Sequence, residues 1–189
     1  DTVSMMNPQC KYGEDVMSRI TYHVMHQDGL ERMSGDIIEG INSLVAQACK
    51  GKHPPEKKTK NKESESITED EDTPYLCLNP SDIMDMTIVG NTAMHHILLK
   101  LNPEHMGLAP FPPVLHKGLD IKARDLGISI CGSAYVHVLP IEAGFVGADN
   151  VGVLIAEEPY EEEEMQLVID IGTNGELVLG NKHKLISSS

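Results

Sequence analysis

The sequence predicts an α/β protein, and three observations carry that expectation. Two stretches near the start, 13–26 and 30–48, repeat apolar residues at helical spacing. Two later segments, around 84–99 and 134–156, pass from a short apolar run through a glycine-bearing loop into a helical pattern. Residues 166–185, "QLVIDIGTNGELVLGNKHKL", alternate apolar runs with turn residues, as strands joined by tight turns do.

Taken in order, "GEDVMSRITYHVMH" (13–26) places Val16, Ile20, Val24 and Met25 on one helix face. Glu14 and Asp15 fall in its first turn, where the helix dipole favours acids. After the break at "QDG", Leu30, Met33, Ile37, Ile38, Ile41, Leu44, Val45 and Ala48 form a strongly amphipathic helix. Residues 51–73 are basic, then acidic, with almost no hydrophobes, and predict a disordered insertion. A strand near Met84–Val89 leads through Gly90-Asn91-Thr92 into a helix from Ala93, capped by Asn91 or Thr92. "APFPPV" (109–114) reads as a stiff surface connection, followed by a small helix near Ile121–Leu126 and a strand near Ala134–Leu139. "EAGFVGADNVGVLIAEE" feeds a helix from Ala148. The expected segments are thus 1–50, 51–75 (insertion), 76–157, 158–165 (acidic linker) and 166–189.

Composition excludes several classes. A net charge of −14 offers no basic surface to displace counterions from nucleic acid. The acids concentrate in Glu63–Asp72 and Glu157–Glu164, which read as solvated runs. No apolar run approaches the ~20 residues of a spanning helix, so no membrane role is expected. Cys10, Cys49, Cys77 and Cys131 stand far apart, without metal-ligand spacing, and predict reduced thiols in a cytoplasmic protein.

Three segments could carry chemistry. In Asp170-Ile171-Gly172-Thr173-Asn174-Gly175-Glu176, the glycines permit close backbone approach to an anion, and Thr173 and Asn174 add donors. Asp170, expected at the end of a buried strand, could hold Mg²⁺ through water. The loop has no Lys, so the metal would have to supply positive charge. Pattern alone fits equally an ordinary hairpin turned by Asn174-Gly175. The second segment is "GFVGADNVGVLIA" (144–156), where Asp149 at a helix start could orient an attacking water; taken alone, a helix-capping role is the stronger reading. The third is "VGNTAMHHILL" (89–99), whose Asn91 and Thr92 could meet a phosphate. His95 and His96 point about 100° apart on a helix and make no paired site; one is expected to pack and the other to face solvent.

These motifs, in this order, resemble the actin-like ATPase and sugar-kinase (ASKHA) superfamily, with its ribonuclease H-like lobes. The likeness narrows further. "NPQCKYGEDVMSRI" (7–20), "VGNTAMHHILLKLNPEHMGLAPFPPV" (89–114), "LPIEAGFVGAD" (139–149) and "IDIGTNGELVLGNKHKL" (169–185) resemble the central region of the ATP-dependent reductive activators of corrinoid-dependent enzymes. That resemblance implies an interior piece of a larger protein: most of a first lobe and the opening strands of a second. It implies ATP and Mg²⁺ as ligands, Asp149 as the catalytic acid, and phosphate contacts from Asn91, Thr92, Asp170, Gly172, Thr173, Asn174 and Gly175. A [2Fe–2S] cluster is implied only for a domain outside this chain. The implied activity is ATP-driven reduction of Co(II) corrinoid to Co(I) on a corrinoid protein or methyltransferase, with homodimerisation through the first-lobe helices left open. Two other readings fit the superfamily: a small-molecule kinase with Asp149 as base, and a nucleotide-switched module without catalysis.

Overall fold

The computed structural model describes residues 2–50, 78–172 and 175–189; the insertion expected at 51–75 lies outside the described residues. After a 3₁₀ turn at Pro8–Tyr12, helix α1 spans Val16–Met25. Asp15 is its N-cap rather than a first-turn residue, accepting from the Ser18 N–H at 2.8 Å and the Ser18 hydroxyl at 2.9 Å. Those two bonds hold its carboxyl below the usual range. Ile20 is buried with Ala93 and Met106, whereas Val24 and Met25 stay exposed, so only part of the apolar face finds a partner.

Helix α2 spans Gly29–Lys50 and serves two neighbours. Its first half packs Leu30 and Met33 against Ile97, and its second half places Val45 and Cys49 over Val136 and Val138. These last two belong to a three-stranded sheet of order β1-β3-β2, with β1 at Asp85–Ile88, β2 at Leu119–Lys122 and β3 at Tyr135–Val138. The first two of that order pair in parallel, and β2 pairs antiparallel to β3. The sequence placed a small helix from Ile121; instead Ile121 and Lys122 close a strand, and α4 begins at Ala123 and ends at Leu126. Pairing of Leu119 with Val138 and Ile121 with Val136 wins over helix propensity in a segment this short.

Helix α3, Thr92–Leu98, corrects a second expectation, because both His95 and His96 are buried. The seven-residue helix packs Ala93 against Ile20 of α1, Ile97 against Leu30 and Met33 of α2, and His96 against the segment at Val114, which leaves little of it to solvent. His96 is satisfied: the Val114 N–H donates to Nε2 at 2.9 Å, which leaves Nδ1 to donate to the Thr92 carbonyl at 2.8 Å. Neither ring nitrogen of His95 has a partner. Burial, and secondarily the charge of His96, depress His95 from 6.5 to about 4. The sign follows: the fold holds His95 neutral, so its contribution is complete above pH 6.5 and is lost as pH falls toward 4. The wild type should therefore lose about 2 kcal/mol between pH 7 and pH 5 that His95→Leu retains. Urea unfolding of both proteins at the two pH values measures the difference, and equal losses would refute this account.

Helix α5 spans Ala148–Glu157, starting where the glycine loop predicts. The exposed run Glu161–Glu164 then leads to an antiparallel meander of β4 (Gln166–Ile171), β5 (Gly175–Asn181) and β6 (Lys184–Ser188). The pairing of Ile171 with Gly175 puts Gly175 inside the ladder, so Asn174-Gly175 is not a two-residue hairpin turn. The sheet is two-faced. Its inner side carries Val168, Val178, Asp170 and Glu176, whereas Leu167, Ile169, Ile171, Leu177, Leu179 and Ile186 remain 45–85 % exposed on the outer side. Strand β4 is thus half-covered, not buried as the sequence suggested. Among the described residues, no helix is long and apolar enough to cross a membrane.

Candidate functional site

The site begins where α3 and α5 start side by side. The Gly90 carbonyl accepts from the backbone N–H groups of Ala148 (3.0 Å) and Asp149 (3.3 Å), tying the two helix starts together. Gly147 makes this approach possible: a Cβ there would lie 2.6 Å from the Asn91 Cα and 2.7 Å from the Thr92 nitrogen. The Asn91 side chain caps α3 by accepting from the Met94 N–H at 2.9 Å. Thr92, 1 % exposed, donates its hydroxyl to the Ala143 carbonyl at 2.7 Å.

Glu142 then fixes the meander against α5. One of its oxygens accepts from the Asn150 side-chain amide at 2.9 Å, and the other from the Ser187 hydroxyl of β6. This arrangement brings the end of β4 to the start of α5 across a cleft of ≈ 330 Å³. The lining includes Asn91, Asp149, Asp170 and Gly172, together with Asn7, Arg19 and Glu176. Four residues picked from three separate sequence segments therefore share one cavity.

The remaining picks fall elsewhere. Thr92 is outside the cleft lining, and its hydroxyl is committed to the Ala143 carbonyl. Gly175 opens β5, also outside the lining, and a Cβ there would meet only the Asp170 carbonyl at 3.8 Å. The fold itself thus makes no steric demand for glycine at 175. Thr173 and Asn174 lie outside the described residues.

Sequence reasoning included Glu176 in the loop without giving it a role, and missed Arg19. Glu176 sits directly opposite Asp170 across the β4–β5 ladder. It is 8 % exposed, and burial, then the charges of Asp149 and Asp170, push its carboxyl above the usual range. The signal was countable: in "DIGTNGE", a three-residue loop makes the two terminal acids partners. Arg19, 7 % exposed, carried no such signal, since a single Arg in an amphipathic helix reads as solvated.

Five acids line the cleft, Glu14, Asp15, Asp149, Asp170 and Glu176, and the charges of Asp149 and Asp170 act on Glu176, a donor set that suits a hydrated divalent cation. Among the described residues, no group of three or more His, Cys, Asp or Glu could enclose a metal directly. Those acids therefore fit a Mg²⁺ ion only as one that would keep its water shell. The larger hollow of ≈ 520 Å³ between α2, β1 and α3 is apolar almost throughout and carries no carboxylate.

Comparison with known proteins agrees with this arrangement of elements. The chain is 33% identical over 186 residues to the corrinoid activation enzyme RamQ of Eubacterium limosum, an alignment covering 98% of this chain and 27% of that protein. Among solved structures, a protein named as reductive activator for corrinoid, iron-sulfur protein superposes with a TM-score of 0.81 at 30% identity, covering 96% of this chain and 25% of the other. The chain thus spans about a quarter of the length of these relatives. The RACo middle region matches residues 1–63 and 71–162. On these grounds the chain belongs to the RACo middle-region family.

Proposed function

We propose that this chain forms the phosphate-gripping part of an ATP-dependent reductive activator of corrinoid proteins, built on an actin-like, ribonuclease H-like ATPase fold. The observation that carries the reading is the convergence of Asn91, Asp149, Asp170 and Gly172 on one acid-lined cleft, in a chain of the RACo middle-region family. The names of its relatives supply the corrinoid side of the proposal.

In this reading Asp149 orients the water that attacks the terminal phosphate, because its carboxylate lies at the cleft wall on the first turn of α5. Asn91 presents its amide to the phosphates while its oxygen holds the α3 cap. Gly172 lets the loop backbone approach the anion without a side chain intervening. Mg²⁺, when bound, neutralises phosphate charge, and Asp170 and Glu176 orient its water shell. ATP can drive reduction of the partner's corrinoid from Co(II) to Co(I) only by binding one arrangement of the lobes better than another. Closure across the α5–β4 junction is the motion that would couple the two events.

The experiment is Co(II)-corrinoid reduction by the full-length protein, followed by the cobalt absorption bands, with and without Mg-ATP. Co(I) formation should require ATP and should stop on chelation of Mg²⁺. Reduction at the same rate without nucleotide would overturn the proposal. So would ATP consumption that phosphorylates a small molecule and leaves cobalt unchanged.

A further inference from the structure

The loop after β4 lacks a lysine, yet the cleft beside it holds a buried cation, Arg19. Its side chain is gripped from the rear: Nε donates to the Gly13 carbonyl at 3.0 Å and Nη2 to the Glu14 carbonyl at 3.3 Å. Gly13 is specialised for this grip. Its φ of +151° suits glycine, and a Cβ there would stand 2.4 Å from the Ser18 Cβ. Two neutral carbonyls orient a guanidinium without neutralising it. They also occupy only two of its five N–H donors.

No carboxylate bonds the guanidinium directly, although Glu14, Asp15, Asp149, Asp170 and Glu176 line the same cleft. Among the described residues, Arg19 makes no ion pair, although it is 7 % exposed. The nearest acid in sequence, Asp15, feels the Arg19 charge but spends its hydrogen bonds on the Ser18 amide and hydroxyl. A buried guanidinium with unused donors and no carboxylate bonded to it has capacity to meet an arriving anion. The cleft it lines also contains Asp149, the residue read above as orienting the attacking water. A planar fork with several free N–H groups matches phosphate oxygens better than a single ammonium would.

We propose that Arg19 contacts the terminal phosphate of the nucleotide, takes the place of the lysine the loop lacks, and distinguishes ATP from ADP. This rests on the reading of the cleft as a nucleotide site and adds to it the residue that senses the γ-phosphate. A purely structural Arg19, closing the Gly13 turn, would affect both nucleotides alike.

The test is calorimetric titration of Mg-ATP and Mg-ADP into the full-length wild-type protein, Arg19→Gln and Arg19→Lys, each checked for an unchanged melting profile. Arg19→Gln should weaken ATP about 10- to 100-fold, the range for a lost charge-assisted contact, and leave ADP within about 3-fold. Arg19→Lys, which keeps the charge without the fork, should fall between wild type and Gln for ATP alone. It carries the test by itself if the Gln variant fails to fold. Equal weakening of both nucleotides, or no change in either, would overturn the assignment of Arg19 and leave the cleft standing. A wild-type protein that binds neither nucleotide would overturn the parent reading, and this one with it.

Discussion

Asp149→Asn in the full-length protein is expected to lower ATP turnover about 10²- to 10⁴-fold, the range for removal of a group that positions or accepts a proton. The substitution is nearly isosteric, and its local cost should be small. The Asp149 oxygen that accepts from the Asn150 N–H at 3.0 Å has a counterpart in the Asn carbonyl, so the α5 start can persist. The backbone N–H of residue 149 still reaches the Gly90 carbonyl. KM for ATP should therefore move by no more than a few-fold while kcat falls. Asp170→Asn should behave differently, raising the Mg²⁺ concentration needed for half-maximal turnover, because Asp170 is paired with Glu176 across the ladder and is read as orienting the ion's water. Steady-state ATPase assays across a Mg²⁺ series separate the two. Unchanged turnover in both variants would remove the cleft from the mechanism.

Gly147→Ala should be the most damaging single methyl in the molecule for function. The added Cβ would meet the Asn91 Cα and the Asp149 Oδ1 at 2.6 Å, and the Thr92 nitrogen at 2.7 Å. Two of those contacts are backbone, and neither helix start can retreat without opening the bonds to the Gly90 carbonyl. Overpacking of this kind costs about 1–3 kcal/mol. The effect on turnover should be larger in proportion, since a displacement of about 1 Å between catalytic groups can cost 10²-fold. Gly35→Ala is the control: a Cβ at that position in α2 meets nothing within 4 Å, and stability should stay the same or rise. Denaturant melts paired with ATPase rates would show both effects. A Gly147→Ala protein with wild-type turnover would mean that the spacing of α3 and α5 does not matter.

The sequence made legible whatever depends on local pattern. Apolar spacing located α2 within a residue or two, and glycine followed by an acid marked the start of α5. Asn91, Asp149, Asp170 and Gly172, which share one cleft, could be picked for the same reason, each at a junction where strand or loop meets an element. What escaped depends on neighbours distant in the chain. Residues 119–122 become a strand only because β3 offers a partner. His96 is buried under the segment at Val114 and His95 beside the hollow between α2 and β1, which no single helical wheel reveals. Arg19 is buried by the positioning of α1 beside the cleft and by the carbonyls of the Gly13 turn. Thr92, by contrast, was picked for its hydroxyl, and the Ala143 carbonyl had already claimed it.

The two-faced meander has a practical consequence for anyone purifying this chain. Six large aliphatic side chains lie on one face of a ribbon whose outer strands, β4 and β6, have open edges among the described residues. Such a ribbon invites stacking with copies of itself, and the main restraint is mutual repulsion from a charge of −14. That repulsion fades near the pI of ≈ 4.9 and weakens in concentrated salt. Mildly alkaline, low-salt buffers should keep the material dispersed, whereas acidification or salting should make it clump.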